Sequence, residues 1–87
     1  MDEGMLINRV VPEYPAIANR TGVQGEVKLH AIIARDGTIQ SLSVISGHPM
    51  LTGTALEAVQ QWRYRPYVLN GEPVEVDTYI TVTFHRN

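Results

Sequence analysis

The side chains that could carry out chemistry are three histidines and one close pair of carboxylates. His30, His48 and His85 lie far apart, with no spacing typical of metal ligands. Glu75 and Asp77 lie two residues apart, which in a strand places both on one face. Paired carboxylates catalyse acid–base reactions only in a cleft that shifts their pKa values. We expect an open, solvated face instead, and therefore no enzyme, no metal and no other cofactor; a small enzyme that uses these carboxylates with a histidine is the alternative.

Composition excludes several other classes. The chain has 87 residues, which is room for one domain. It contains no cysteine, so it has no disulfide, no thiolate nucleophile and no cysteine-ligated zinc. Seven basic residues against nine acidic ones give a net charge of -2, so a general nucleic-acid binder is not expected. Apolar runs are only a few residues long, so we predict neither a membrane span nor a signal peptide.

Aromatic and basic residues alternate in the segment Trp62-Arg63-Tyr64-Arg65-Pro66. Such alternation occurs in platforms that bind single-stranded nucleic acid. Trp62, however, completes the apolar stripe of a predicted helix, and Arg63 and Arg65 flank the end of that helix, where cations complement the helix dipole. We therefore interpret the segment as core plus helix cap.

Apolar–polar alternation predicts three strands. The clearest covers residues 74–85, and a second covers about residues 25–35 with apolar residues on both faces near its end, as in a central strand. A third, at about residues 38–46, returns antiparallel, with a bulge near residues 41–43. Asp36 and Gly37 are predicted to be the central residues of the two-residue turn that joins the strands at residues 25–35 and 38–46, with Gly37 at positive φ.

Two helices complete the prediction. Residues 50–63 carry an apolar stripe at helical spacing, and a short helix begins near Pro15 and stops at Gly22. Residues 5–11 are apolar and fit either a short strand or an arm. We divide the chain into an N-terminal arm or short strand at residues 1–10 and the domain itself at residues 11–87.

These elements predict an α+β two-layer sandwich. The long helix connects the strand at residues 38–46 with the strand at residues 74–85 and crosses the sheet. With the strands numbered in chain order, this gives a three-stranded antiparallel sheet of order 2-1-3 with two helices on one face. The shared apolar faces predict a core made of Val27, Leu29, Ala31, Ile33, Leu56, Val59, Trp62, Ile80, Val82 and Phe84.

The last strand is then a long edge strand without lysine. Such an edge presents unpaired N–H and C=O groups to an extended peptide, to another copy of the chain, or to the chain's own N-terminal arm. Coverage by residues 5–11 is the simpler alternative, but we favour a partner.

An ordered series of motifs resembles the C-terminal domain of TonB energy transducers. The series extends over residues 11–84 and consists of Tyr14-Pro15 with Ala18, Gly22-Val23-Gln24-Gly25-Glu26-Val27, Asp36-Gly37, Ser46-Gly47-His48-Pro49 with Leu51, Ala55-Leu56-Glu57-Ala58-Val59, Trp62-Arg63-Tyr64-Arg65-Pro66, Asn70-Gly71-Glu72-Pro73-Val74 and Val82-Thr83-Phe84.

The resemblance implies a periplasmic domain of an inner-membrane-anchored protein. Members of this family pass proton-motive-force energy from ExbB and ExbD, which contact N-terminal regions that this chain does not contain, to TonB-dependent outer-membrane transporters. They bind a short extended transporter segment, the TonB box, beside the last strand, and the residues before Tyr14-Pro15 also contact the receptor. The partner-binding residues implied here are Val76, Asp77, Thr78, Tyr79, Ile80, Thr81, Val82, Thr83, Val10, Val11 and Glu13.

One further alternative is a self-associating structural or interaction module. Related domains also occur in sensor proteins and other envelope proteins, and the same edge strand could pair with a second copy to give a homodimer.

Overall fold

A computed structural model of the chain describes residues 5–86. Within these residues the chain forms seven strands and two helices, in the order β1 (Leu6–Asn8), α1 (Ala16–Arg20), β2 (Gly25–Ile33), β3 (Ile39–Ser46), α2 (Pro49–Val59), β4 (Arg63–Tyr64), β5 (Tyr67–Leu69), β6 (Glu72–Val74) and β7 (Val76–Phe84). Among these described residues, no helix has the length and apolar character that crossing a membrane requires.

The main sheet has three antiparallel strands in the order β3–β2–β7. β2 and β7 pair over their full lengths, from Gly25 opposite Phe84 to Ile33 opposite Val76. Numbered by their appearance in the chain, the three strands have the order 2-1-3, so the predicted topology is confirmed. β2 is therefore central, and β7 lies at one edge.

The core lies between one face of this sheet and the two helices. Nine of the ten predicted core residues are buried, and Leu56 is half-buried against the same cluster. Ala18 from α1 and Leu51 and Ala55 from α2 also belong to it. Since both helices contribute to one core, they cover the same face of the sheet, and the predicted α+β two-layer arrangement is confirmed.

The turn between β2 and β3 differs from the predicted one. The Gly37 N–H donates to the Ala34 carbonyl (2.9 Å), and the Ala34 N–H donates to the Thr38 carbonyl (2.8 Å). This pattern defines a three-residue loop in which Arg35 and Asp36 are central and Gly37 comes last, at a φ of +89°. The prediction of positive φ at Gly37 is confirmed. The predicted central pair is wrong, because an Asp-Gly pair also fits the last two positions of this longer loop.

β3 also differs from its predicted form. Its pairing with β2 shifts register at two points, which leaves Gln40 and Ile45 as extra residues. The predicted bulge at residues 41–43 is therefore misplaced. Two bulges that flank this stretch account for the change in apolar parity that one bulge within it was meant to explain.

α2 begins one residue earlier and ends four residues earlier than predicted. The His48 imidazole Nδ1 accepts the Met50 N–H (3.0 Å) at its start, and Pro49 occupies the first turn. At its end, Gln61 and Trp62 donate to carbonyls three residues back, at 3.1 and 2.9 Å. The tighter turn lets the chain leave the helix while Trp62 still points into the core, so the apolar stripe extends beyond the helix itself.

Two small sheets were not predicted. β5 and β6 form a hairpin whose turn residues, Asn70 and Gly71, have φ of +51° and +82°, so the predicted turn at this pair is confirmed. The last strand begins after this hairpin, at Val76 rather than at residue 74. β1 pairs with β4, so the apolar N-terminal segment does not cover β7. The first four residues of the predicted arm lie outside the described residues.

Candidate functional site

The three histidines do not form a cluster. His48 caps α2, His30 lies on the solvent-facing side of β2, and His85 follows β7. Within residues 5–86, no group of three or more potential ligand side chains could hold a metal ion. Glu75 precedes β7 and is exposed, whereas Asp77, on β7, accepts a hydrogen bond from the His30 imidazole Nε2.

β7 is the element that the predicted site depends on. It pairs with β2 along one side, and among residues 5–86 no strand pairs with its other side. Its even-numbered residues from Thr78 to Phe84 are buried, whereas the odd-numbered ones are exposed. The strand thus combines a firmly packed inner face with a free edge.

The hairpin between β2 and β3 determines which backbone groups point to that free edge. The Ala34 N–H and C=O both form hydrogen bonds within the loop that leads to β3, so they point away from β7. Backbone direction alternates along a strand, so the N–H and C=O of the preceding residue, Ile33, point toward β7. Ile33 pairs with Val76, and backbone direction alternates along a strand, so the even-numbered residues of β7 bond to β2. The free groups are those of Asp77, Tyr79, Thr81 and Thr83.

The side chains on this edge are mostly neutral. Tyr79 is 72% exposed and its ring lies against that of His30, with centroids 5.3 Å apart. Thr81 and Thr83 are exposed hydroxyl residues. Asp77 is the one charged residue between positions 76 and 83. An extended partner would therefore meet a ladder of backbone groups flanked by one aromatic ring, two hydroxyls and one carboxylate.

The second predicted contact segment, residues 10–13, lies on the helix layer. The Val10 carbonyl accepts the Trp62 indole N–H (2.9 Å), and the Glu13 carbonyl accepts the Thr54 hydroxyl (2.7 Å). Val11 is 79% exposed between these two anchors. The segment lines a groove along α2, where Thr54 and Trp62 hold it. The two predicted contact regions, this segment and the edge of β7, therefore lie on different elements.

The Trp62-to-Pro66 segment serves mainly as structure. Trp62 and Tyr64 are buried, and the Arg63 guanidinium donates to the carbonyls of Gln60 and Trp62, at 3.3 and 2.8 Å. The interpretation as core plus helix cap is confirmed for Trp62 and Arg63, whereas the Arg65 backbone N–H donates to the Met5 carbonyl (2.8 Å). The Arg9 guanidinium lies 5.5 Å from the centre of the Trp62 ring, a contact that sequence reasoning missed because it joins positions more than fifty residues apart.

Sequence reasoning also missed the pairing of His30 with Asp77. The signal was present in the predicted strands, because an antiparallel pairing of residues 25–35 with residues 74–85 brings a histidine near a carboxylate on one face. Finding it required the exact register, in which His30 lies opposite Tyr79 and diagonal to Asp77.

Comparisons with known proteins agree with this architecture. The family described as Gram-negative bacterial TonB protein C-terminal matches residues 10–85. Protein TonB of Vibrio cholerae is 34% identical over 97% of this chain, and Protein TonB of Xanthomonas campestris is 32% identical over 87% of it. The chain spans about a third of the length of these relatives, 36% and 35% respectively.

Two solved structures have the same fold. The solution structure of the Pseudomonas aeruginosa TonB C-terminal domain has a TM-score of 0.77 at 28% identity, covering 92% of this chain and 83% of that one. The TonB2 protein of Vibrio anguillarum has a TM-score of 0.72 at 31% identity, covering 95% of this chain and 81% of that one.

Proposed function

This chain belongs to the family of TonB C-terminal domains, and from that premise we propose that it docks an extended segment of an outer-membrane transporter, the TonB box, beside β7. The observation that carries the proposal is the free edge of β7, with the outward backbone groups of Asp77, Tyr79, Thr81 and Thr83. Strand addition to such an edge uses backbone hydrogen bonds for affinity and side chains for fit.

The proposed docking mode suits the transmission of force. Each added backbone hydrogen bond contributes about 0.5–1.5 kcal/mol net. When the partner is pulled along the strand direction, several of these bonds must break together. β7 is itself tied to the core by its buried even-numbered residues and by its nine-residue pairing with β2. A pull on the partner is therefore carried into the whole sheet, without any catalytic group or cofactor.

We propose a second, weaker contact at Val10, Val11 and Glu13. Their backbone is fixed by Trp62 and Thr54, so the exposed Val11 side chain is presented in a defined position. Fixing the segment in advance lowers the entropic cost of any contact that it makes.

The remaining roles belong to the whole protein. We propose a periplasmic location, an inner-membrane anchor, and coupling to proton-motive force through ExbB and ExbD by regions outside this chain. The domain itself is proposed to bind and transmit, and not to catalyse.

Chemical-shift mapping by NMR with a TonB-box peptide tests the docking site. Perturbations should centre on residues 76–83. Perturbations centred on β3, with β7 silent, would place the site on the opposite edge of the sheet and overturn the proposal. Sedimentation over a concentration series separates peptide docking from the alternative in which β7 pairs with a second copy.

Two proline variants sharpen this test. Thr81→Pro removes an outward N–H, and proline is tolerated on an edge strand where the N–H faces solvent, so the fold should persist while peptide binding is lost. Ile80→Pro removes an N–H that points toward Leu29 of β2 and should unfold the domain. A folded Thr81→Pro variant that binds the peptide normally would contradict the assigned direction of the backbone groups.

A further inference from the structure

We propose that His30 is a specificity-determining residue for the partner that docks on β7, because it holds the Asp77 carboxylate back over the sheet and away from the partner strand. The inference rests on the proposed function. His30 lies on the central strand β2, so a partner added beside β7 does not reach its backbone, and its effect must pass through the residue that it holds.

The geometry defines the role of each group. The His30 Nε2 bonds to Asp77 Oδ1 across the diagonal of the β2–β7 pairing. An ionised carboxylate only accepts hydrogen bonds, so Nε2 carries the hydrogen and donates it. Tyr79 also contacts the imidazole: the centroids of the two rings lie 5.3 Å apart, and the ring planes meet at 49°. His30 thus contacts both odd-numbered residues at the start of the free edge, Asp77 and Tyr79.

The position of Asp77 makes this contact consequential. Native sheets use charged side chains to protect their free edges from unwanted pairing. Between residues 76 and 83, Asp77 is the one charged residue that could do this. With its carboxylate directed toward β2, the edge presents a neutral surface of Tyr79, Thr81 and Thr83 to the neighbouring strand. The side chain of Asp77 is still 67% exposed, so it can turn toward a partner when His30 is removed.

Other charged groups on this face do not replace His30. Lys28 lies opposite Thr81 and Glu26 opposite Thr83, farther along β7 from Asp77, and Glu75 precedes the strand. The wild-type edge should consequently favour a partner with a neutral residue beside Asp77. Loss of His30 should shift that preference toward a partner with a cation there.

Two matched peptides measure this preference. Both contain the same TonB-box segment; one has lysine at both ends and the other has glutamine at both ends, so that either direction of docking places one flanking residue near Asp77. In His30→Ala, the ratio of lysine-peptide to glutamine-peptide affinity should rise roughly two- to five-fold over wild type, the range for an exposed ion pair. His30→Gln, which keeps an N–H donor, should restore much of the wild-type ratio.

Two control variants identify the cause. Asp77→Asn removes the charge, so adding His30→Ala to it should leave the ratio unchanged. His85→Ala, a histidine beyond the end of β7, should also leave it unchanged.

The outcomes separate the two proposals. If the glutamine peptide does not perturb residues 76–83 of the wild-type domain, both the docking site and this inference are overturned. If it binds there and the ratio is the same in wild type and His30→Ala, the docking site stands and the role of His30 is refuted. A ratio that rises equally in the Asp77→Asn background also refutes it.

Discussion

At Gly37, two independent constraints exclude every side chain. Its φ of +89° lies in the left-handed region, which costs about 1–2 kcal/mol for residues with a Cβ. In addition, a Cβ at this position would lie 1.9 Å from the Tyr64 carbonyl oxygen, and the Gly37 carbonyl accepts the Tyr64 N–H at 2.9 Å. The hairpin loop therefore packs directly against the backbone of β4.

Gly37→Ala should destabilise the domain by about 3 kcal/mol or more, because the strain of positive φ adds to a backbone clash. Gly71→Ala is the matched control: its φ is +82°, but nothing lies within 4 Å of the added Cβ, so it should cost only about 1–2 kcal/mol. Gly53→Ala, in the open on α2, should stabilise by up to about 1 kcal/mol. Urea denaturation measures all three, and equal losses for the first two variants would show that the Tyr64 contact is unimportant.

Hydrogen bonds within the same loop lower the pKa of Asp36. The Thr38 hydroxyl (2.7 Å) and then the Thr38 backbone N–H (3.0 Å) donate to its carboxylate, and these bonds hold the pKa of Asp36 below its ordinary value. Because the folded-state pKa is lowered, the ionised form contributes stability above the unfolded-state pKa. That contribution is lost as the pH falls through the folded-state pKa.

Thr38→Val should raise the pKa of Asp36 toward its ordinary value. It removes the hydroxyl hydrogen bond, which has the larger effect on that pKa, and keeps the backbone N–H bond, which has the smaller effect. NMR titration of the Asp36 carboxyl carbon measures the change. Thr54→Val, which removes a hydroxyl that donates to the Glu13 carbonyl instead, should leave the Asp36 pKa unchanged. An unaltered pKa in Thr38→Val would mean that the hydroxyl does not stabilise the carboxylate.

At the scale of whole elements, local periodicity predicted the limits of the long strands closely. β2 and β7 begin and end within two residues of the predicted limits, since nine alternating residues leave little freedom. The end of α2 was not predictable in this way, because Trp62 keeps its place in the apolar stripe after the backbone has left the helix. β4 was not predicted, and β1 was predicted only as one of two alternatives for residues 5–11, because each has two or three residues and depends on a distant partner.

The start of α2 provides a test of one local signal. The His48 imidazole accepts the Met50 N–H, and no acidic residue lies in the first turn to help. His48→Ala should therefore lower stability by about 0.5–2 kcal/mol, the usual cost of losing an N-cap. His48→Asp supplies another acceptor and a charge that favours the helix N-terminus, so it should retain or exceed wild-type stability. Thermal unfolding measures both, and an aspartate variant as unstable as the alanine variant would contradict the capping role.

Considered as a whole molecule, the domain combines a packed core with a hairpin that lies outside it, and we expect these parts to differ in stability. The three-stranded sheet and its helices share one buried core. The β5–β6 hairpin lies outside it, with Tyr67, Val68 and Leu69 all exposed, and a two-stranded hairpin without a packed face is marginal in water. The edge position of β7 could be predicted from topology because the crossover helix forces the last strand to the outside. The contact of His30 with Asp77 could not, because it depends on register.

Amide hydrogen exchange should resolve this hierarchy and the proposed edge together. The amides of β2 and the even-numbered amides of β7 should exchange slowest, because they lie in the central ladder over the core. Among the hydrogen-bonded strand amides, those of the β5–β6 hairpin should exchange fastest. Within β7, Asp77, Tyr79, Thr81 and Thr83 should exchange much faster than their even-numbered neighbours, because their N–H groups face solvent. A docked peptide should slow these four and leave the hairpin unchanged; uniform protection along free β7 would show that its outer edge is already paired.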